Sequence, residues 1–443
     1  MSDDTIYALS SGNLPSGVAV IRISGPKAFL ALDRLTTADL PPIQTAKVMI
    51  LSDPEDGSAI DEALVLCFQG PKSFTGEDVV EIQCHGGRAV INALFGVFSS
   101  LPDYRIADPG EFTRRAFLQG KLDLVETEGL ADLINSETEE QRKLAVRQMG
   151  GYLSETYSAW RSQLIRLRAF IEAELDFADE EDVPGSVSDQ VWDGVGEIVA
   201  EMRSALANAD VGERIRSGLS VVIAGPPNVG KSSLLNVLAG RDAAIVTDIE
   251  GTTRDAIDVH LDLRGMALNV TDTAGIRPTE DPVEKIGIER SFDRMRAADI
   301  VVWMGEAGGS GSHEIPVNGL NDIIFVLNKA DRLSDQGDSI RDRYDCVMSI
   351  SRGEGIDEFV GVLEDRVGAF RYGSEDALIT RQRHRECVAD SIMALEGALD
   401  QQLPLEIRAE QLRLASDAMA RVLGVIDVED LLDVVFGEFC IGK

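Results

Sequence analysis

Apolar and polar residues alternate along 17–25 (GVAVIRISG), 62–70 (EALVLCFQG) and 78–87 (DVVEIQCHGG), and each run closes on glycine. A period of two with glycine punctuation predicts β-strands. Over 88–101 (RAVINALFGVFSSL) the period lengthens, and Val90, Ala93, Leu94 and Val97 share one helical face. Residues 1–118 therefore read as an α+β domain. From 119 to 217 the spacing is three or four, in KLDLVETEGLADLINSETEEQRKLAVRQM and YSAWRSQLIRLRAFIEAELDF, with a break at Pro184-Gly185 before a further helical stretch, 189–209. Residues 218–372 alternate short β-branched runs with helical segments, which predicts a parallel sheet covered by helices on both faces. Residues 373–443 are helical again. They include DVEDLLDVVFGEF (427–439), with Val428, Leu431, Leu432, Val435 and Phe439 on one side. The simplest arrangement packs 119–217 and 373–443 as one helical domain split in sequence, with the α/β unit inserted between its halves.

Candidate chemistry sharpens this picture in the inserted unit. LSVVIAGPPNVGKSSLLNVLAG holds Gly225, Gly230, Lys231 and Ser232 in the G-x4-G-K-S pattern, after a strand at 220–224 and before a helix from Lys231. The glycines let backbone N–H groups close around phosphates, and Lys231 reaches the β- and γ-phosphates while the Ser232 hydroxyl ligates Mg2+. Asn228, Val229 and Ser233 complete the contact set in this loop. TDTAG adds Asp272 for the metal's shell, Gly275 for the γ-phosphate, and Thr273 and Ala274 between them. IIFVLNKAD supplies Asn328, Lys329 and Asp331, and Asp331 can accept hydrogen bonds from both N1 and N2 of guanine, a pair adenine does not offer. Ser349, Ile350 and Ser351 stand where a further base-contacting loop is expected. Four such segments in order indicate a GTPase domain of the Ras-like P-loop type.

Two details narrow the mechanism. The position after DTAG is Ile276, which has no polar atom to orient a water, where Ras-like GTPases use glutamine. Glu284 in PVEKIGIER is the nearest attractive carboxylate, or else an exposed charge at a helix start. Asn228 is either an oxygen ligand for a cation or a residue that suits a tight turn. IVTDIEGTTRD (245–255) reads as the switch over the γ-phosphate. Thr252 or Thr253 can ligate Mg2+ there, Thr247 can complete a cation site, and Asp248, Ile249, Glu250 and Gly251 lie between them.

Composition sets limits. A net charge of −34 argues against a broad basic face that grips nucleic acid unaided. Cys67, Cys84, Cys346, Cys387 and Cys440 form no CxxC pair and no metal-ligand spacing, which fits a reducing, cytoplasmic setting. The first residues carry neither a basic n-region nor an apolar h-region, and no apolar run approaches the ~18 residues of a membrane span. Cys440 stands fourth from the end like a lipidation box, but Gly442 and Lys443 do not suit one.

Over nearly its whole length the chain resembles the tRNA modification GTPase family MnmE (TrmE). The residues that carry the match are GVAVIRISGP, SFTGEDVVEIQCHGG, DPGEFTRRAFLQGKLDL, GPPNVGKSSLLN, IVTDIEGTTRD, DTAGIR, VEKIGIER, NKAD and the terminal FCIGK. The resemblance implies an N-terminal folate-binding and dimerisation domain, a helical domain split in sequence and an inserted G domain. It implies a homodimer, K+-stimulated GTP hydrolysis with pairing of G domains, and a heterocomplex with the FAD-dependent partner MnmG (GidA). The pair would add an aminomethyl or carboxymethylaminomethyl group to carbon 5 of the wobble uridine of certain tRNAs, from a 5-formyl- or methylene-tetrahydrofolate. By the same resemblance Asn228, Thr247, Ile249 and Thr252 would hold K+, Ser232 and Thr253 Mg2+, and Glu284 would orient the water. Arg22, Glu81, Lys121 and Lys443 would contact the folate, with Cys440 a possible modification-site residue.

Overall fold

The computed structural model describes residues 4–176, 187–241, 244–245, 258–272, 282–307, 319–333, 343–370, 377–426, 432, 435–437, 439 and 441–442. The chain forms two compact units, one from Met1–Ala131, Gln148–Ser162 and Ser416–Lys443, the other from Asp132–Arg147 and Gln163–Ala415.

The first unit contains β1 (Thr5–Leu9), β2 (Ser16–Ser24), α1 (Ala28–Leu35), β3 (Lys47–Ser52), β4 (Ala59–Phe68), β5 (Val79–Gly86), α2 (Arg88–Ser99), β6 (Tyr104–Ile106) and α3 (Glu111–Leu118). Its six-stranded sheet runs β3-β4-β5-β2-β1-β6. Every pair is antiparallel except β1 with β6. Alternate residues of the central strands, Ile21 and Ile23 on β2, Val65 on β4, Val80 and Ile82 on β5, point into one core with Leu32 and Leu35 of α1 and Leu94 and Phe98 of α2. The opposite face carries Arg22 and Glu81, which are direct partners in the β2–β5 register.

The C-terminal segment completes this unit. Leu432, Val435 and Phe439 are buried as the amphipathic pattern predicts, together with Phe436, whereas Val428 and Leu431 lie outside the described residues. Gly110 at the start of α3 has φ +68, and a Cβ there would stand 2.6 Å from the Phe436 carbonyl. Ile441 bridges to Pro109, and the Ser10 hydroxyl donates to the Gly442 carbonyl at 2.7 Å. Gly442 has φ +98, and its missing side chain lets the segment lie on Leu9, whose carbonyl oxygen is 2.1 Å from where a Cβ would be.

Helices α4 (Leu124–Ile134), α5 (Glu139–Met149), α6 (Tyr152–Asp176), α7 (Val187–Ala207) and α8 (Ala209–Ser217) lead into the second sheet. It comprises β7 (Leu219–Ala224), β8 (Ala244–Ile245), β9 (Asp258–Leu263), β10 (Met266–Asp272), β11 (Ile300–Glu306), β12 (Ile323–Asn328) and β13 (Cys346–Val347). Its helices are α9 (Lys231–Ala239), α10 (Pro282–Ala297) and α11 (Ile356–Ala369), and the chain continues into α12 (Gln382–Leu399) and α13 (Leu405–Leu423). The strand order is β13-β12-β11-β7-β10-β9-β8. Successive residues of β7 and β11 feed separate apolar clusters, Val221, Ile223, Val302 and Met304 in one, Val222, Ala224, Val301 and Trp303 in the other. A sheet buried on both faces gives the near-continuous hydrophobic runs seen in the sequence.

The sheet is parallel as the sequence predicts over five strands, and adds an antiparallel edge. β13, β12, β11, β7 and β10 are parallel, but β9 pairs antiparallel to β10, and β8 to β9. The reason is local: only Arg264 and Gly265 separate β9 from β10, both with positive φ (+54 and +87), a two-residue turn that permits an antiparallel hairpin alone. Within this unit α7, which precedes the sheet in sequence, packs on α12, which follows it. Arg203 bonds Glu396 at 2.5 Å and the Arg408 guanidinium lies over the Trp192 ring at 3.5 Å.

Candidate functional site

The central strand β7 is the point where the sheet's strand order reverses, and in open α/β sheets ligands bind beyond the carboxyl ends of strands at such a point. The loop after β7 is shaped by its glycines. Gly225 has φ +145 and Gly230 φ +104, and Cβ atoms at the two would stand 2.3 Å from the Met304 carbonyl and 2.4 Å from Asn328 Nδ2. Helix α9 begins at Lys231, so its free N–H groups face the loop. The Lys231 ammonium is buried and donates to the loop's own carbonyls, Gly225 O at 3.2 Å and Pro226 O at 3.0 Å. Burial pushes this lysine below its ordinary pKa, offset in part by the Asp272 carboxylate.

At the end of β10, Asp272 accepts a short hydrogen bond from the Ser232 hydroxyl. Its other oxygen, Oδ1, is buried and has no hydrogen-bond partner in the described structure. A hydroxyl and an unsatisfied carboxylate oxygen beside a phosphate loop are hard oxygen donors, the set Mg2+ prefers. Past β12, Asn328 braces two loops: its Nδ2 donates to Val229 O at 2.7 Å and its Oδ1 accepts the Ile350 N–H at 3.2 Å. Lys329 Nζ donates to Asn228 O at 2.7 Å and pairs with Glu306. Asp331 accepts the Ser349 hydroxyl at 2.7 Å, and Ser349 in turn meets Ser351 at 3.2 Å. The Ser349 hydroxyl holds the Asp331 carboxyl below the usual carboxylate range.

The structure thus brings Asn228, Val229, Gly230, Lys231, Ser232, Asp272, Asn328, Lys329, Asp331, Ser349, Ile350 and Ser351 to one edge of one sheet. Thr247, Asp248, Ile249, Glu250, Gly251, Thr252, Thr253, Thr273, Ala274 and Gly275 lie outside the described residues. Of Glu284 the backbone alone is described, in α10.

In the first unit, Arg22 Nε donates to Glu81 Oε1 at 2.9 Å and Nη2 approaches the same oxygen at 2.8 Å. The guanidinium lies 5.5 Å from the Phe74 ring centroid and 5.7 Å from that of Phe112. Lys121 donates to the Pro71 carbonyl at 2.9 Å, on the loop that carries Phe74. Cys440 and Lys443 lie outside the described residues.

Comparison with known proteins gives two family matches, the "MnmE helical domain" over residues 124–440 and the "GTP-binding protein TrmE N-terminus" over residues 5–121. The tRNA modification GTPase MnmE of Brucella ovis is 48% identical over 441 residues, 99% of this chain and 98% of that protein. The chain belongs to the tRNA modification GTPase MnmE family. The MnmE of Brucella anthropi is 48% identical over 448 residues, and that of Beijerinckia indica 46% over 440.

One feature of the first unit has no clear signature in the sequence. Arg115 is buried and donates to Glu77, to Asp4 and to Glu111, while Arg105 bonds Glu111 and Asp4. Burial works to raise the Glu111 pKa, but hydrogen bonds from Arg105, the Asp108 N–H and Arg115 hold it lowered. The network ties the start of β1 and the Phe74 loop to α3. Glu111 and Arg115 stand four apart on one helix, a spacing that signals such a pair, although nothing in the sequence points to Asp4 or Glu77 as their partners. Nor does the sequence point to Glu306 as the partner of Lys329.

Proposed function

We propose that this chain binds and hydrolyses GTP in the course of tRNA modification. The observation that carries this reading is the convergence at one sheet edge of a phosphate loop, the Ser232–Asp272 pair and the base-reading group Asn328, Asp331 and Ser349. Lys231 exchanges its two loop carbonyls for phosphate oxygens, which form stronger, charge-assisted bonds. Ser232 and Asp272, with Thr253, would hold Mg2+, which when bound neutralises charge developing on the phosphate oxygens. Asp331 takes both guanine donors. Glu284 orients the attacking water in place of a glutamine, and Asn228, Thr247, Ile249 and Thr252 hold K+.

The wider activity rests on membership of the family. With a flavin-dependent MnmG partner, a dimer of this chain adds an aminomethyl-type group to carbon 5 of a tRNA wobble uridine. The Arg22–Glu81 pair, flanked by two phenylalanines and near Lys121, is the candidate tetrahydrofolate site: it offers hydrogen-bonding groups for a pterin beside aromatic faces. Lys443 would reach the folate's glutamate tail and Cys440 the one-carbon unit.

Complementation in a strain lacking its own MnmE tests the main reading. Wild type should restore wobble-uridine modification and Lys231→Ala should not; full restoration by Lys231→Ala would leave GTP a structural role only. Titration with 5-formyl-tetrahydrofolate should show binding, and absence of heat would remove the folate reading. The catalytic assignments predict a faster GTPase in K+ than in Na+. They also predict that Glu284→Ala keeps GTP affinity and loses turnover by about a hundredfold or more. Equal rates in both salts, or loss of binding in the variant, would dismiss the corresponding residue.

A further inference from the structure

Strand β11 ends on Glu306, which sits opposite Asn328 in the β11–β12 register, and the Ala307 N–H donates to the Asn328 carbonyl at 3.0 Å. The two strand ends are therefore fixed to each other where the base-reading segment begins. The next residue, Lys329, has φ +61, and its ammonium bridges the Glu306 carboxylate and the Asn228 carbonyl of the phosphate loop. Asn228 itself has φ +63. Two non-glycine residues in left-handed backbone conformations, each strained, are thus held together by one ammonium.

We propose that Glu306 is a positioning residue for guanine-nucleotide binding: it anchors Lys329 and so sets how fast a bound nucleotide leaves. A lysine ammonium held by one neutral carbonyl would rotate on its four-carbon stem. A carboxylate as second acceptor at the same Nζ pins the ammonium end of that stem, whose other end is the backbone, and so would hold its methylenes as an apolar ledge beside the phosphate loop. A ledge acts on the face of a purine, whereas Asp331 reads its edge. Glu306 therefore governs the dwell time of purine nucleotides and not the choice of guanine over its analogues. The pair is partly exposed, with side-chain accessibilities of 24% for Lys329 and 35% for Glu306, so its effect is moderate. The inference rests on the reading of this edge as a guanine-nucleotide site.

Stopped-flow displacement of fluorescent mant-GDP and mant-IDP from the full-length chain tests it. Glu306→Gln should speed dissociation about three- to fivefold, by the same factor for both nucleotides, with association little changed. Glu306→Asp should lie between wild type and Gln. Glu306→Gln on a Lys329→Ala background should add nothing, because the anchor has no lysine left to hold. Unchanged dissociation in Glu306→Gln would overturn the proposal, as would additive effects in the double variant. So would a shifted GDP-to-IDP ratio accompanied by a lower melting temperature, which would mark Glu306 as a fold residue. Failure of the wild-type chain to bind mant-GDP would instead sink the guanine-site reading itself.

Discussion

At the scale of the residue, the group proposed to read the base is a chain of short contacts around one carboxylate. The Ser349 hydroxyl donates to Asp331 and lowers its pKa, opposed by desolvation and assisted to a smaller degree by the nearby Arg352 and Arg332. A carboxyl whose folded pKa is depressed stays ionised at and above its ordinary value near 3.9. It loses that charge as the pH falls through the lower, folded value. Affinity for mant-GDP should accordingly be flat from pH 8 down to about 5 in wild type. Ser349→Ala should weaken binding about three- to tenfold at neutral pH and move the acid edge of the curve upward. A fluorescence titration series across pH checks both; an unmoved edge would mean that Ser349 does not govern Asp331. Lys231, Ser232, Asp272, Asn328 and Asp331 stand out in the sequence because phosphates, Mg2+ and guanine would dictate residue types at short spacings, and the structure brings the five to one sheet edge. Glu306 was not legible, because a carboxylate at a strand end has no signature until its partner strand is placed.

At the scale of the element, the period of apolar residues found β2, β4, β5, α2 and the long helices. It missed β1, β3 and β6. β1 is buried along nearly its whole length, so it offers no alternation to read, and β6 is three residues long. The β9–β10 hairpin depended on an Arg-Gly turn that is a weaker sequence signal than Asn-Gly. The C-terminal segment shows how an element's fit reduces to one position. Gly442→Ala places a methyl where the Leu9 carbonyl stands and imposes a strained φ, and should cost about 2 kcal/mol in urea denaturation. Gly437→Ala is the control: a Cβ there meets nothing within 4 Å, so stability should hold or rise slightly. Equal losses in both variants would mean that the segment's docking on Leu9 is unimportant.

At the scale of the whole molecule, each unit carries its own buried thiols. Burial pushes Cys67 and Cys84 up to about 11 in the first unit, and Cys346 up to about 12 in the second, with nearby carboxylates reinforcing the shift at each. These thiols stay protonated at pH 8 and should resist iodoacetamide in the native chain, with labelling read by peptide mass spectrometry. In rising urea, Cys67 and Cys84 should become reactive together, and Cys346 on a separate transition, because the clusters around them belong to different units. Labelling of Cys67 or Cys84 without denaturant would contradict the packing described for the first sheet. Among the described residues no helix is long and apolar enough to cross a membrane. The net charge of −34 remains the strongest global constraint on tRNA binding, since the chain as a whole repels phosphate. The proposed partner would resolve that conflict by carrying much of the tRNA contact.

The bond between Ser10 and Gly442 joins positions 432 residues apart. A ribosome makes β1 first and cannot supply its covering segment until a further 432 residues have been translated. Through that interval, about 20 to 90 seconds at ordinary elongation rates, the end of β1 lacks its last partner. The first unit therefore closes only after all of the second unit's residues have been made. A stalled ribosome or a clipped message would leave β1 without that cover, in a form that protein quality control could tell from the finished chain.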